Sequence, residues 1–148
     1  MEKFDKSIHN ICLASIKRHT IKPYDFKWSR FYEENIGFNH SFPEQKIEPS
    51  ENELVICSTV IDKDNFSVLA SQKLITKECG ILLSGKMNSA RDRLYGGFKS
   101  LQSGLFTFGL VRLNCGNELK YFIETGRASM VMIYGVRTRI GMTCQTTH

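Results

Sequence analysis

The chain lacks the features that usually announce a compartment or a chemistry. No apolar run approaches the roughly 20 residues needed to cross a bilayer. The opening MEKFDKSIHNICLASIKRHT interleaves acids and bases with apolar residues, so the continuous apolar stretch of a signal peptide is missing. Cysteine pairing signals are missing too. Cys12, Cys57, Cys79, Cys115 and Cys144 are odd in number and form no CxxC. This argues against a secreted disulfide framework and for reduced thiols in a cytoplasm, where buried cysteine acts as a small hydrophobe. Proline is scarce, and its positions (Pro23, Pro43 and Pro49) all precede residue 50.

Catalytic signatures are equally thin. There is no GxSxG elbow, and His9, His19, His40 and His148 form no HxxxH pair for a metal. Glu33-Glu34 and Glu51 with Glu53 sit in polar segments where solvated charge is the default. Gly80 to Lys86 matches GxxxxGK, the front of a P-loop. However, Met87 stands where a Ser or Thr hydroxyl must hold Mg²⁺, and Ile81, Leu82 and Leu83 fill a loop whose amides must wrap phosphate. A strand ending in a glycine turn is the better reading. No catalytic residue, metal ligand or cofactor is therefore expected, and the chain reads as non-enzymatic.

What is present suits a globular domain. Apolar residues make up 41% and charged residues 24% of 148, enough to bury a core without disulfides or metal. The net charge of +5 is uneven. Up to Gly85 there are 11 basic and 12 acidic residues; from Lys86 onward there are 9 and 3. A basic C-terminal part suits an anionic partner: an acidic protein, nucleic acid or an anionic membrane surface.

Two parts are expected, a helical segment over 1–45 and a β domain over 46–148. Residues 2–19 predict an amphipathic helix with Phe4, Ile8, Ile11, Cys12, Ser15 and Ile16 on one face. Residues 24–42 are dense in aromatics and read as a second short helix on the core or as an exposed recognition surface. PEQKIEPSEN is the connector. The period then changes. Leu54–Ile61 and Phe66–Thr76 predict a hairpin about the turn Asp62-Lys63-Asp64-Asn65, and Ile81–Leu83 starts a third strand. Residues 84–104, broken by glycines, predict a long polar loop. Leu105–Leu113 and Glu118–Glu124 predict a second hairpin, with Phe106, Phe108 and Leu110 sharing one face and Leu119, Tyr121 and Ile123 another. The segment from Ala128 to Ile140 predicts a helix with Arg127, Arg137 and Arg139 outward, weakened at Gly135 by about 1 kcal/mol relative to alanine. The tail from Met142 is expected to fray.

The candidate contact site is the loop carrying Lys86, Arg91, Arg93 and Lys99 with Tyr95 and Phe98 between them. Interleaved basic and aromatic residues can stack and neutralise single-stranded nucleic acid. They can equally dock on an acidic protein patch or be a solvated loop.

The runs Glu53-Leu54-Val55-Ile56, Phe66-Ser67-Val68-Leu69 and Gln72-Lys73-Leu74-Ile75-Thr76 give a rhythm that resembles small bacterial PH-like domains over about residues 50–141. The resemblance implies an α+β fold: an N-terminal helical segment, then a bent antiparallel sheet or partly open barrel with a C-terminal helix. It also implies binding of lipid head groups, peptides or protein surfaces. Phosphoinositide-type members place basic residues in the first hairpin loop, whereas Asp62-Lys63-Asp64-Asn65 is net acidic. That favours protein recognition. By class, the chain is similar to cytoplasmic bacterial immunity proteins, whose partner would be a toxin domain with an acidic surface. The alternative is a PH-like adaptor for a membrane surface or nucleic acid.

Overall fold

The computed structural model describes residues 5–20, 26–32, 54–87, 90–95, 106–113 and 117–145. The fold is α+β. Helix α1 (Asp5–His19) is followed by strands β1 (Ser29–Phe31), β2 (Val55–Asp62), β3 (Asn65–Ala70), β4 (Lys73–Glu78), β5 (Ile81–Lys86), β6 (Ala90–Tyr95), β7 (Phe106–Leu113) and β8 (Glu118–Glu124). A 3₁₀ turn (Gly126–Ala128) leads into helix α2 (Ser129–Gln145). The strands form two antiparallel meanders, a five-stranded sheet in the order β1-β2-β3-β4-β5 and a three-stranded sheet β6-β7-β8. Among the described residues they are not closed into one barrel.

The turns follow from their residues. Asp62 accepts the Asp64 N–H at 2.8 Å and the Asn65 side-chain amide at 3.0 Å, which closes the β2–β3 hairpin locally. These bonds hold the Asp62 carboxyl below its usual range. Between β4 and β5, Cys79 and Gly80 both have positive φ (52° and 82°). This is the two-residue turn whose twist matches a hairpin.

Helix α2 sits at the centre. Val131, Met132, Val136 and Ile140 are buried with Ile8, Cys12 and Ile16 of α1, Ile56, Cys57, Leu69 and Leu74 of the first sheet, and Val111, Leu119, Tyr121 and Ile123 of the second. At Gly135 an added Cβ would lie 2.8 Å from Cys57 Sγ and 3.1 Å from Leu69 Cδ2. The glycine that lowers helix propensity is what lets α2 approach the sheet. The sheets meet through β8, whose Phe122 N–H donates to Ser67 Oγ on β3 at 2.8 Å. A smaller cluster of Tyr32, Val55, Phe66, Val68 and Ile75 is buried separately.

Both hairpins and both terminal helices form where the sequence places them, and several details differ. Residues 29–31, within the segment read as a possible second helix, are a strand because they extend the β2 edge, with Ser29 opposite Thr59. Phe66–Thr76 is two strands, since the chain reverses at Ser71-Gln72; the Ser71 N–H donates to Leu54 O at 2.9 Å. The segment read as a loop from residue 84 contains the end of β5 and all of β6. GxxxxGK is therefore a hairpin turn and an edge strand, not a phosphate loop. On α1, Ile11 is 41% exposed, and His9 and Leu13 are buried in its stead. His9 is accommodated because its Nε2–H donates to Tyr32 O at 2.7 Å. Arg139 does not point outward: it is buried, and its Nε–H donates to Ser71 O at 2.6 Å. Met142 is buried within α2, which extends to Gln145, so the helix runs past the expected start of fraying. Phe4, Tyr24, Phe38 and Phe42 lie outside the described residues.

Candidate protein-docking surface

Alternation along β7 and β8 sorts the second sheet into two faces. Leu119, Tyr121, Ile123 and Val111 face the core. The opposite face carries Phe106, Phe108, Lys120 and Phe122, with Phe108 level with Phe122 and Phe106 level with Glu124. The shared face of Phe106 and Phe108 read from the sequence is thus real, and it is the one turned away from the core.

Glu124 completes this face. It is buried, and its carboxylate accepts three backbone N–H groups: Lys27 at 2.9 Å on Oε2, and Trp28 and Ser29 at 2.8 Å each on Oε1. Charge-assisted bonds of this kind are stronger than neutral ones. They fix residues 27–29 beside the end of β8. Trp28 is thereby delivered to Phe106, ring centroids 6.0 Å apart and near edge-on. Phe106, Phe108 and Phe122 continue the group at 4.8–5.7 Å. Phe122 is its buried floor, Trp28 and Phe108 are half-buried, and Phe106 is 41% exposed.

Two lysines frame the rings. Lys27 Nζ stands 4.6 Å over Trp28, and Lys120 Nζ stands 4.6 Å over Phe108 while reaching the Glu78 carboxylate at 3.4 Å. The result is an aromatic patch with cationic margins. It can bury apolar area against a partner and attract acidic groups at its rim.

The residues expected to form the site are dispersed. Lys86 is exposed at the end of β5, level with Lys73. Arg91, Arg93 and Tyr95 belong to β6, where Arg93 pairs with Val111 and Tyr95 with Gly109. Phe98 and Lys99 lie outside the described residues. The first four therefore belong to strands in two different sheets rather than to one basic loop. Trp28 and Lys27 were not legible as partners of the Phe106–Phe108 pair, because the long-range bonds to Glu124 join them, whereas Lys120 reaches Phe108 through the register of the hairpin itself.

A second concavity, about 420 Å³, lies between α1 and α2 and is lined by residues that include Ser15, His19, Tyr134, Arg137 and Thr138. His19 stacks on Tyr134 at 3.6 Å, and its Nδ1–H donates to Ser15 O at 2.8 Å. Among the described residues the lining holds no carboxylate or thiol to act with the imidazole. Two described thiols are buried and protonated. Burial pushes Cys12 up to about 12, with the Arg139 charge opposing, and pushes Cys57 well above its usual range, with Cys12 adding to the rise. Cys79, by contrast, is exposed at its turn and departs from the expectation of burial. Among the described residues no three His, Cys, Asp or Glu side chains are grouped to hold a metal, and no helix is long and apolar enough to cross a membrane.

No family model, curated protein or solved structure matches the chain.

Proposed function

We propose that this chain is a non-enzymatic protein-binding module that docks an acidic partner on the Trp28–Phe106–Phe108 patch, in the manner of an immunity protein that occludes a toxin domain in the cytoplasm. The observation that carries this reading is the aromatic patch itself. Three large rings are left partly in solvent, Trp28 fixed by a buried carboxylate and Phe106 and Phe108 by their strand, and the group is edged by Lys27 and Lys120. Rigid aromatic anchors ringed by polar groups are the usual form of an interface hot spot. The order of a four-stranded meander β2–β5, a three-stranded meander β6–β8 and a terminal helix supports the PH-like reading. Within that reading the first hairpin loop is a poor phosphate site, since Asp62 is acidic and engaged by its own turn.

The test is a native pull-down from the source cytoplasm, followed by binding kinetics with the recovered protein. A one-to-one complex is expected whose on-rate falls as salt rises. Phe106→Ala with Phe108→Ala should weaken it at least tenfold, mainly through faster dissociation, and Lys120→Glu should slow association. Failure to recover a stable partner, or a complex indifferent to all three substitutions, would overturn the reading.

The same patch gives the nucleic-acid reading one specific support. Phe106 and Phe108 are two residues apart on one strand face with lysines beside them, a spacing on which successive bases can stack. A salt-titrated shift assay with single-stranded oligonucleotides separates the two readings.

A further inference from the structure

Strand β5 is an outer strand of the five-stranded sheet, and its apolar side chains are in water. Ile81 is 65% exposed, Leu82 56% and Leu83 55%. Among the described residues no strand pairs with its outer edge. No charged residue interrupts the strand before Lys86. Natural edge strands are normally blunted by charge, proline or a bulge, because an apolar edge templates pairing with another chain. The geometry points to pairing of β5 with β5 of a second copy, antiparallel about a two-fold axis at Leu83. This goes beyond the proposed partner binding and uses a different surface.

The register follows from the hairpin. Glu78 and Ile81 flank the two-residue turn, so Ile81, Leu83 and Gly85 direct their backbone groups to β4, opposite Glu78, Thr76 and Leu74. Leu82 and Ser84 then direct their N–H and C=O outward. Setting Leu82 of one copy opposite Ser84 of the other lets these groups exchange hydrogen bonds in both directions, and the two-fold repeats them. Leu83 then meets Leu83 as a non-hydrogen-bonded pair, the closer kind. Ile81 arrives beside Gly85, above which Leu113 already packs; a Cβ there would be 2.9 Å from Leu113 Cδ1. Ile81 and Leu83 gain apolar neighbours directly, and Leu82 gains Leu82 of the second copy on the diagonal.

Charge selects the same arrangement. In this register Lys86 lies opposite Gly80 of the second copy. Gly80 N–H donates to Asp64 O at 3.1 Å, and the Asp64 carboxylate is half exposed near Lys77. Each Lys86 is thus carried to an acidic turn. A parallel pairing would instead set Lys86 against Lys86. The contact is one edge strand per copy, so a weak, reversible dimer is expected at micromolar concentrations.

Sedimentation velocity on the full chain across micromolar concentrations should show a reversible monomer–dimer equilibrium. Leu83→Lys, at an exposed position, should leave the circular dichroism unchanged and weaken the dimer at least tenfold by placing like charges on the axis. In a Cys79→Ser background, Leu83→Cys should form a symmetric disulfide under mild oxidation and Leu82→Cys should not. A chain that stays monomeric at every concentration overturns the proposal and leaves the edge to a strand from another protein. A dimer that survives Leu83→Lys, or one cross-linked as readily through position 82 as through 83, overturns it as well.

Discussion

The carboxylate of Glu124 accepts the backbone N–H of Ser29 at 2.8 Å across 95 residues of chain. The same carboxylate holds Lys27 and Trp28, so one buried acid ties the first strand of one sheet to the last strand of the other. Replacement by glutamine keeps one oxygen and turns the other end into a donor facing a donor. Glu124→Gln should cost about 1–3 kcal/mol, read as a lower urea midpoint. Trp28 is the single tryptophan, so its fluorescence reports whether the segment has come away from Phe106. An unchanged midpoint with unchanged emission would show that the strand β1 pairing suffices without the acid.

The two glycines of α2 should respond oppositely to alanine. Propensity favours alanine by about 1 kcal/mol at either position. At Gly141 nothing lies within 4 Å of an added Cβ, so Gly141→Ala should raise the thermal midpoint. At Gly135 the methyl would press on Cys57 Sγ and Leu69, and overpacking of about 1–3 kcal/mol outweighs the helical gain. Adding Cys57→Ala to Gly135→Ala should recover part of the loss, because the two sites share one contact. Independent, additive effects in that double variant would contradict the direct packing of α2 on β2.

Alkaline pH should unfold this protein through groups held neutral inside it. Burial raises Tyr32 from 10.0 to about 12, against the Ser58 hydroxyl bond and the Arg30 charge, which lower it. Cys12 rises from 9.0 to about 12, chiefly through burial. Between pH 9 and 12 the unfolded chain therefore sheds protons that the fold retains. Fewer bound protons in the unfolded state mean that stability falls as pH rises through this window. Below the unfolded values these groups contribute no slope. Denaturant midpoints measured from neutral to alkaline pH should show the decline, and Cys12→Ala should flatten its first part. In native protein, thiol reagents should modify Cys79 promptly, and Cys12 and Cys57 only after unfolding.

How far the sequence could be read depended on how local the determining contacts were. The hairpin around Asp62–Asn65 was legible because the turn is built by its own Asp62 and Asn65 side chains. The reversal at Ser71-Gln72 was not. It is secured by Leu54 from outside the strand pair and by Arg139 from the last helix. Gly85 suggested a loop, yet it is needed inside a strand to admit Leu113 and Leu119. The face of α1 was rotated by His9, a polar residue buried because a carbonyl 23 residues away accepts a hydrogen bond from its ring N–H. Of the docking patch, the Phe106 and Phe108 pair was visible by alternation. Lys120 follows from the same hairpin register, but Lys27 and Trp28 were hidden behind the Glu124 contact.

That contact also sets a timetable for synthesis. Each meander joins neighbours in sequence, so its strands can pair soon after they leave the ribosome. The segment 27–29 is different, because the acid that satisfies its N–H groups is made almost a hundred residues later. Residues 27–29 must therefore wait without their final acceptors until β8 emerges. A segment made early is fastened among the last.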